Sequence, residues 1–490
     1  MGGLHEGHAQ LIRQAVAGCA EPGSVLVSVY INPLQFGEGE DFDCYPRSLE
    51  ADCLLAQRSG AAALWCPDDQ QIYPGGVSSG WRLQTPSTLQ SALCGPSRPG
   101  HFDGVCTVVS RLLALVQPRQ LWLGEKDWQQ LVILRRLVTD LGLPVRVRGC
   151  ATVREPDGLA ASSRNRYLSS SERCSASSIG AALRDAATEL QSGQADQSDV
   201  LKSLSNQLEN AGLGVEYVEV VDPFTLQPAA SERSLRLLAI AVRCGSTRLI
   251  DHIFVMTRSP IVAIDGPAGA GKSTVTRAFA ERMGLLYLDT GAMYRAVTLW
   301  VQEHGADPAS AEAVETLLEG LEVDLSPLRH GVQTVCINGR DVTEAIRDPR
   351  VTGSVSKVAA HACVRALLTR QQQRLGEQGG LVAEGRDIGT AVFPDAELKV
   401  FLTATPAERA RRRAIDLQSQ GHSVPELTEL ENQIVERDRL DSTRAIAPLV
   451  QADDAMELIT DGKSIEAVID ALEDLFRERV AEEVWPTPER

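Results

Sequence analysis

The chain has 490 residues, 43% of them apolar, and a formal net charge of −17 from 48 lysines and arginines against 65 aspartates and glutamates. Such a length predicts two to four domains, each with enough apolar side chains to bury a core. The acidic balance argues against a general nucleic-acid or membrane-binding surface, while a local basic cluster still suits phosphate ligands.

The sequence opens on MGGLHEGHAQLIRQA. A helix starting near Gly7 puts His5 and His8 at its N-terminus, where free backbone N–H groups attract phosphate. Imidazoles there stabilise charge on a phosphate under attack. Taken alone, the H-x-G-H pattern fits two exposed histidines as well. The β-branched run SVLVSVYI (24–31) reads as strand. INPLQF (Ile31 to Phe36) and SRPGHFDGV (Ser97 to Val105) bring amide and imidazole groups to strand or loop ends. QLWL leads into GEKDWQQ (Gly124 to Gln130) and the helical pattern DWQQLVILRRLVTDLG. After the turn REPDGL comes ASSRNRYLSSSER, where Ser169 and Glu172 make a capping box for the next helix. Lys126 and Arg164 offer positive charge from two separate loops, and Ser162 and Ser163 offer hydroxyls. Polar residues gathered at strand ends are where open α/β sheets place ligands. DVLKSLSNQLENAG adds another helix, and strand–helix alternation implies α/β layers with parallel sheet.

The sharpest discontinuity lies near residue 258, where MTRSP ends one apolar run and IVAIDGPAGAGKST begins a strand–loop–helix unit. Two domains are therefore expected, 1–257 and 258–490, joined by only a few residues. The second carries G-x-x-x-x-G-K-[ST] as Gly266, Pro267, Ala268, Gly269, Ala270, Gly271, Lys272 and Ser273, followed by Thr274. The preceding strand IVAID and following helix TVTRAFAERMG are the context this phosphate-binding loop needs. Its backbone N–H groups and helix dipole hold phosphate oxygens. Lys272 reaches the β- and γ-phosphates, and the Ser273 hydroxyl sits on Mg²⁺. Further on stand LDTGAMYR (288–295), EGRDIGTAVFPDA (384–396), ERARRRAID (408–416) and ERDRLDSTRAIAPL (436–449). Arg409, Arg411, Arg412 and Arg413 share one helix, which suits either a lid closing over phosphates or a solvated basic face.

No apolar run is long enough to cross a bilayer, and the N-terminus lacks a basic patch followed by an apolar stretch. The eleven cysteines form no C-x-x-C pair, and no His/Cys group has zinc-ligand spacing. They read as reduced, mostly buried thiols of a cytoplasmic protein.

On the motifs just quoted, residues 259–480 resemble bacterial cytidylate kinase, a P-loop nucleoside-monophosphate-kinase α/β fold. The resemblance implies ATP as donor with Mg²⁺, CMP or dCMP as acceptor, and Lys272 and Asp387 as catalytic groups. It implies Thr290, Tyr294 and Arg295 at the monophosphate site, with Arg365 on the monophosphate's phosphate. Arg386 and Asp387 match its G-R-D segment, Asp387 reading cytosine and sugar. Arg437, Asp441 and Arg444 match its R-x-x-x-D-x-x-R segment, with Asp441 on the ribose hydroxyls. QTVCINGRDVTEAIRDPRV (333–351) resembles the small insert that closes over CMP.

Residues 1 to about 257 resemble pantothenate synthetase, whose Rossmann-like nucleotidylyltransferase fold is similar to that of class I aminoacyl-tRNA synthetases. The resemblance places Met1, Gly2, Gly3, Leu4, His5, Glu6, Gly7 and His8 at ATP, with His8 as the general-acid-like partner at the phosphates. It adds Gly124, Glu125, Lys126 and Asp127 at ATP, and Val153, Ala161, Ser162, Ser163 and Arg164 around adenosine and triphosphate. His5, His8, Lys126 and Arg164 would carry the catalysis. Gln35 and Gln130 would hold pantoate, Gln35 also touching β-alanine, with Asn32, Tyr45, Arg98 and His101 in or near the pocket. Asp52 is either a ligand of Mg²⁺ through water or an exposed helix carboxylate. A homodimer through this half is also implied, with pantoate, β-alanine, ATP and CMP or dCMP as small-molecule partners.

In that family a strand and a short P-T turn precede the methionine of M-G-x-L-H, which here is Met1. The first strand of the nucleotide-binding sheet is therefore missing from this sequence, and an upstream start is expected. A buried central strand removed from a sheet leaves backbone groups unpaired, at roughly 1–3 kcal/mol each. Three functional readings follow: a bifunctional enzyme, an active kinase with a catalytically impaired nucleotide-binding or dimerising first half, and a first half performing another nucleotidylyl transfer.

Overall fold

The computed structural model describes residues 2–19, 23–37, 39–229, 235–327, 333–419, 423–443 and 446–485. Of the residues singled out above, Met1 and Arg444 lie outside these. Two compact units divide the chain, one running to Thr257 with Ala481–Glu483, the other Arg258–Val480 with the residues from Val484.

In the first unit the helix Glu6–Ala17 begins where His5 caps it, and its Ala9, Ile12 and Ala15 fall on one buried face. Ile12 packs with Leu4 and Ala56, against the partly buried Val25 and Val27. Strands β1 (Leu26–Ser28) and β2 (Ala63–Trp65) pair in parallel. So do β3 (Gln120–Gly124) and β4 (Arg146–Cys150). These are two separate two-stranded sheets, with no ladder joining β1 to β3. Both strands instead border one cavity of about 1460 Å³. SVLVSVYI thus yields only three residues of strand, since extended backbone without a partner on one edge makes few ladder bonds.

The rest of this unit departs from the expected parallel alternation. Strands β5 (Gly214–Val221), β6 (Leu235–Cys244) and β7 (Thr247–Met256) form an antiparallel sheet with β6 at its centre. The helices Ser170–Ser192 and Gln197–Asn210 join its core through Ile179, Leu183, Leu204 and Leu208 against Leu238 and Ile240. Ser169 and Glu172 do form the capping box that opens the first of these helices.

In the second unit a continuous parallel sheet runs in the order β15 (Met456–Ile459), β14 (Leu398–Thr403), β8 (Ile261–Asp265), β13 (Leu381–Gly385), β9 (Leu286–Asp289). All five residues of β8 are buried, as a central parallel strand requires. One face is covered by Val275, Phe279, Leu472 and Phe476, the other by Met293, Val297, Val364 and Leu368. The phosphate-binding loop connects β8 to the helix Lys272–Met283. Gly266 opens it at φ +148°, where a Cβ would lie 2.0 Å from the Leu402 carbonyl oxygen, so no other residue fits. The stretch 333–351 contributes β11 (Val335–Ile337) and β12 (Arg340–Asp341), which pair antiparallel, β11 also pairing with β10 (Val323–Leu325) just before it.

All eleven cysteines are free thiols, but contrary to expectation only Cys94, Cys106, Cys150 and Cys244 are buried. Among the described residues no helix is long and apolar enough to cross a membrane.

Candidate active sites

In the first unit His5 and His8 cap their helix reciprocally. Gly7 N–H donates to His5 Nδ1 at 3.2 Å, and His5 N–H donates to His8 Nδ1 at 3.3 Å. Each Nδ1 is thereby an acceptor, which fixes both rings as the Nε2–H tautomer. Burial lowers the His5 pKa to about 4, with Lys126 and Arg166 adding to the effect. Burial likewise lowers His8 to about 3, with His5 next in weight. Both imidazoles are therefore neutral hydrogen-bond donors near pH 7, not imidazolium acids.

The cavity between β1 and β3 gathers most of the sequence-predicted ligands. Leu4, His5, Gly7, His8, Gly124, Lys126, Asp127, Val153, Ala161, Ser162, Ser163 and Arg164 line it, with Gln35 and Gln130. Gln35 sits in a short turn, Pro33–Gln35, capped by Asn32. Its carbonyl oxygen accepts from Arg98 Nη2 at 3.1 Å and lies 2.7 Å from His101 Nδ1, while Arg98 is paired with Glu40 at 2.6 Å. Ser163 Oγ lies 3.0 Å from the Tyr45 hydroxyl. Gly2, Gly3, Glu6 and Glu125 do not line the cavity. Glu6 faces outward to an exposed ion pair with Arg13. Glu125 is buried, and burial raises its carboxyl to about 8.

In the second unit Lys272 is buried beneath the phosphate loop, its Nζ donating to the Gly266 and Pro267 carbonyls at 2.7 and 2.8 Å. Ser273 Oγ donates to Glu384 Oε1 at 2.6 Å, and the Tyr287 hydroxyl donates to the same oxygen at 2.8 Å. Glu384 Oε2 is buried without a partner. A serine hydroxyl beside a carboxylate with an open oxygen is the hard-oxygen donor set a Mg²⁺ ion needs at a P-loop. Glu384 escaped the sequence reading although it opens the quoted EGRD; its signal is an acid at the end of the strand next to β8.

The residues that the resemblance assigned to the acceptor are drawn together by ion pairs. Arg365 Nη2 reaches Asp387 Oδ2 at 2.6 Å, both buried, with its guanidinium 5.4 Å from the Tyr294 ring centroid. Arg386 Nε pairs with Asp441 at 3.1 Å, and Arg295 with Asp289 at 3.2 Å. Thr290 Oγ1 donates to the Glu384 carbonyl at 2.6 Å. Arg437 shares its electrostatic surroundings with Arg386, Asp441 and Arg413.

Residues 1–254 match the family model for pantoate-beta-alanine ligase, and residues 262–478 match that for cytidylate kinase. The chain belongs to both families. It is 74% identical over 489 residues to the bifunctional pantoate ligase/cytidylate kinase of Synechococcus sp. (strain WH7803), with 100% of each chain covered. It is 67% identical over 491 residues to the protein of that name from Prochlorococcus marinus (strain MIT 9313), covering 100% of this chain and 97% of the other. The crystal structure of pantothenate synthetase from Thermus thermophilus is 41% identical over 52% of this chain and 91% of that one, at a TM-score of 0.49. The chain is thus a two-enzyme polypeptide, a pantoate–β-alanine ligase and a cytidylate kinase, and both families use ATP.

Two expectations are corrected. In the ligase unit Asp52 is not an exposed helix carboxylate. It is buried, and its oxygens accept Gly3 N–H at 2.9 Å and Leu4 N–H at 2.7 Å. Arg164 holds Asp41 through Nε and Nη2 at 2.9 and 2.7 Å and still lines the cavity. In the kinase unit the arginine helix Pro406–Ser419 is not a row of equivalent lid cations. Arg409 is buried on Asp438 and donates to the Ala268 carbonyl at 3.2 Å, and Arg412 donates to the Ala270 carbonyl at 3.2 Å. Both brace the phosphate loop from outside, because carbonyls turned away from the phosphates need donors.

Proposed function

We propose that the ligase unit condenses pantoate with β-alanine through pantoyl adenylate. A pantoate carboxylate oxygen attacks the α-phosphorus of ATP as the bond to the β-phosphate oxygen breaks and pyrophosphate leaves. The β-alanine nitrogen then attacks the acyl carbon, AMP leaves, and the amine loses a proton. Activation is required because a free carboxylate is a poor acyl donor. The single observation that carries the reading is the pair of neutral, tautomer-fixed imidazoles at a helix N-terminus on the cavity lined by Lys126, Gln35 and Gln130. Preorganised N–H donors there stabilise charge on the phosphates without proton transfer. The serines act as ligands and not as nucleophiles. Pyrophosphate release that needs both pantoate and ATP, followed by AMP release that needs β-alanine, is the test.

In the kinase unit, Lys272 leaves its loop carbonyls for the β- and γ-phosphates, and the acceptor's phosphate oxygen attacks the γ-phosphorus of ATP in line as the bond from that phosphorus to the β-phosphate oxygen breaks and ADP leaves. Arg365 and Arg386 exchange their carboxylate partners for the acceptor phosphate, Asp387 and Asp441 then accepting from cytosine and ribose. Ser273 and Glu384 would hold Mg²⁺, which would supply neutralisation of phosphate charge. CMP and dCMP are the proposed acceptors, tested by CDP and dCDP formation from each. The free thiols agree with a cytoplasmic enzyme. A homodimer through the ligase unit is proposed on family resemblance, and the solution mass tests it.

One observation favours a second reading, in which the ligase unit binds nucleotide without turnover: β1 and β3 border a cleft and share no ladder. Absent pyrophosphate release alongside normal CDP formation would establish it.

A further inference from the structure

Strand β8 ends on Asp265, one residue before the phosphate loop begins. The side chain is 6% exposed, on the central strand of the sheet. Its two oxygens accept two consecutive backbone donors from another segment. Ile388 N–H reaches Oδ1 at 2.8 Å, and Gly389 N–H reaches Oδ2 at 2.7 Å. The two residues just before those amides are Arg386 and Asp387, ion-paired with Asp441 and Arg365, and the kinase reading assigns all four to the acceptor.

A buried carboxylate is a costly way to hold a turn. Desolvation, with the nearby Asp387 charge, raises Asp265 to about 6, against which its two N–H bonds and Lys272 work. What a carboxylate alone offers is two acceptors and no donor. An asparagine of the same shape would turn an N–H toward one of the two amides. The geometry therefore serves placement: donor loop and acceptor segment leave the sheet side by side, and one side chain ties the second to the root of the first.

We propose that Asp265 is the positioning residue that fixes the acceptor segment 386–389 relative to the phosphate loop, so that the acceptor phosphate meets the γ-phosphorus in line. This rests on the kinase reading above. In-line transfer is sensitive to placement, and a shift of about 1 Å costs on the order of 10²-fold in rate. Asp265→Asn in the full chain should raise the KM for CMP by about 10-fold and lower kcat/KM for CMP by about 10²-fold. The KM for ATP should stay within about 3-fold, and pantothenate formation by the same preparation should not change. A general loss of structure would move both kinase substrates together. An unchanged KM for CMP in a folded D265N, or equal shifts for CMP and ATP, would overturn the proposal. Absence of CDP formation by the unsubstituted protein would instead defeat the kinase reading itself. Should D265N not fold, amide hydrogen exchange on the unsubstituted chain decides. The Ile388 and Gly389 amides must exchange at least about 10²-fold more slowly than exposed loop amides, and exchange at loop rates would sink the idea.

Discussion

The helices Glu6–Ala17 and Lys272–Met283, proposed to meet phosphate in the two units, begin in different ways. In the kinase unit the chain enters through β8, which hydrogen-bonds to β13 on one side and β14 on the other. In the ligase unit residues Gly2–His5 enter the helix without forming a strand. Their anchor is the Asp52 carboxylate on Gly3 and Leu4 N–H. A ladder spreads its hold over many backbone bonds, so no single side chain decides it. A carboxylate anchor concentrates the same task in one residue. The comparison teaches that a backbone ladder and a single buried carboxylate hold the segment before a helix with different exposure to mutation: the ladder shares its hold among β8, β13 and β14, while Gly3 and Leu4 rest on Asp52.

The sharpest way to break the comparison is to remove one phosphate-binding group from each unit. Lys272→Ala should lower CDP formation by about 10²–10³-fold and leave pantothenate formation unchanged, and His8→Ala should do the reverse. Coupled assays on one full-length preparation measure both. A substitution that silences both activities would mean that the units do not work separately.

A smaller effect tests the anchor itself. Asp52→Ala leaves two buried amides without an acceptor, at about 1–3 kcal/mol each. It should lower the unfolding midpoint of the ligase unit and raise its KM for ATP, with CDP formation intact. Equal loss in both units would argue that Asp52 serves general stability only.

The pH dependence comes next. Both histidines are depressed from 6.5, to about 4 and about 3, chiefly by burial. Each folded pKa lies below its unfolded value, so the stability they contribute is present above pH 6.5 and is lost as pH falls toward 4. The ligase kcat/KM for ATP reports the free enzyme. It should therefore show no histidine limb between pH 6 and 7. An inflection near 6.5 that disappears in His8→Ala would refute neutral imidazoles.

The kinase phosphate loop was legible in the sequence because its chemistry is mostly backbone. Glycines at fixed spacing dictate where the chain bends, and Lys272 and Ser273 follow in register. The ligase ligands were legible only as a set, since Lys126, Ser162 and Gln35 meet through the fold. Beside Glu384, Asp52 was misread and Asp265 missed for the same reason. Asp52 looks like any helix carboxylate, and nothing local says that its oxygens face Gly3 and Leu4. Asp265 hides inside the strand IVAID. The antiparallel β5–β6–β7 sheet was also hidden: the centre of β6 is buried on both faces, so its run LRLLAIAV lacks the alternation that marks a half-exposed strand. The capping box at Ser169 was readable because it is closed within four residues.

The smallest effect separates the four arginines that composition alone makes equivalent. Arg409 and Arg412 donate to phosphate-loop carbonyls, and Arg413 adds to the positive field at Arg437. Arg411 points elsewhere. Its side chain is 68% exposed and its partner is Glu408 on the same helix at 3.4 Å. An exposed pair of this kind contributes about 0–1 kcal/mol. Arg411→Ala should therefore change CDP formation by less than about 2-fold and stability within that range. Arg409→Ala uncovers the Ala268 carbonyl and strands Asp438, and it should cost far more. If the two substitutions proved equal in kinase kinetics, the helix would act as an undifferentiated basic face after all, and the bracing role of Arg409 would have to be given up.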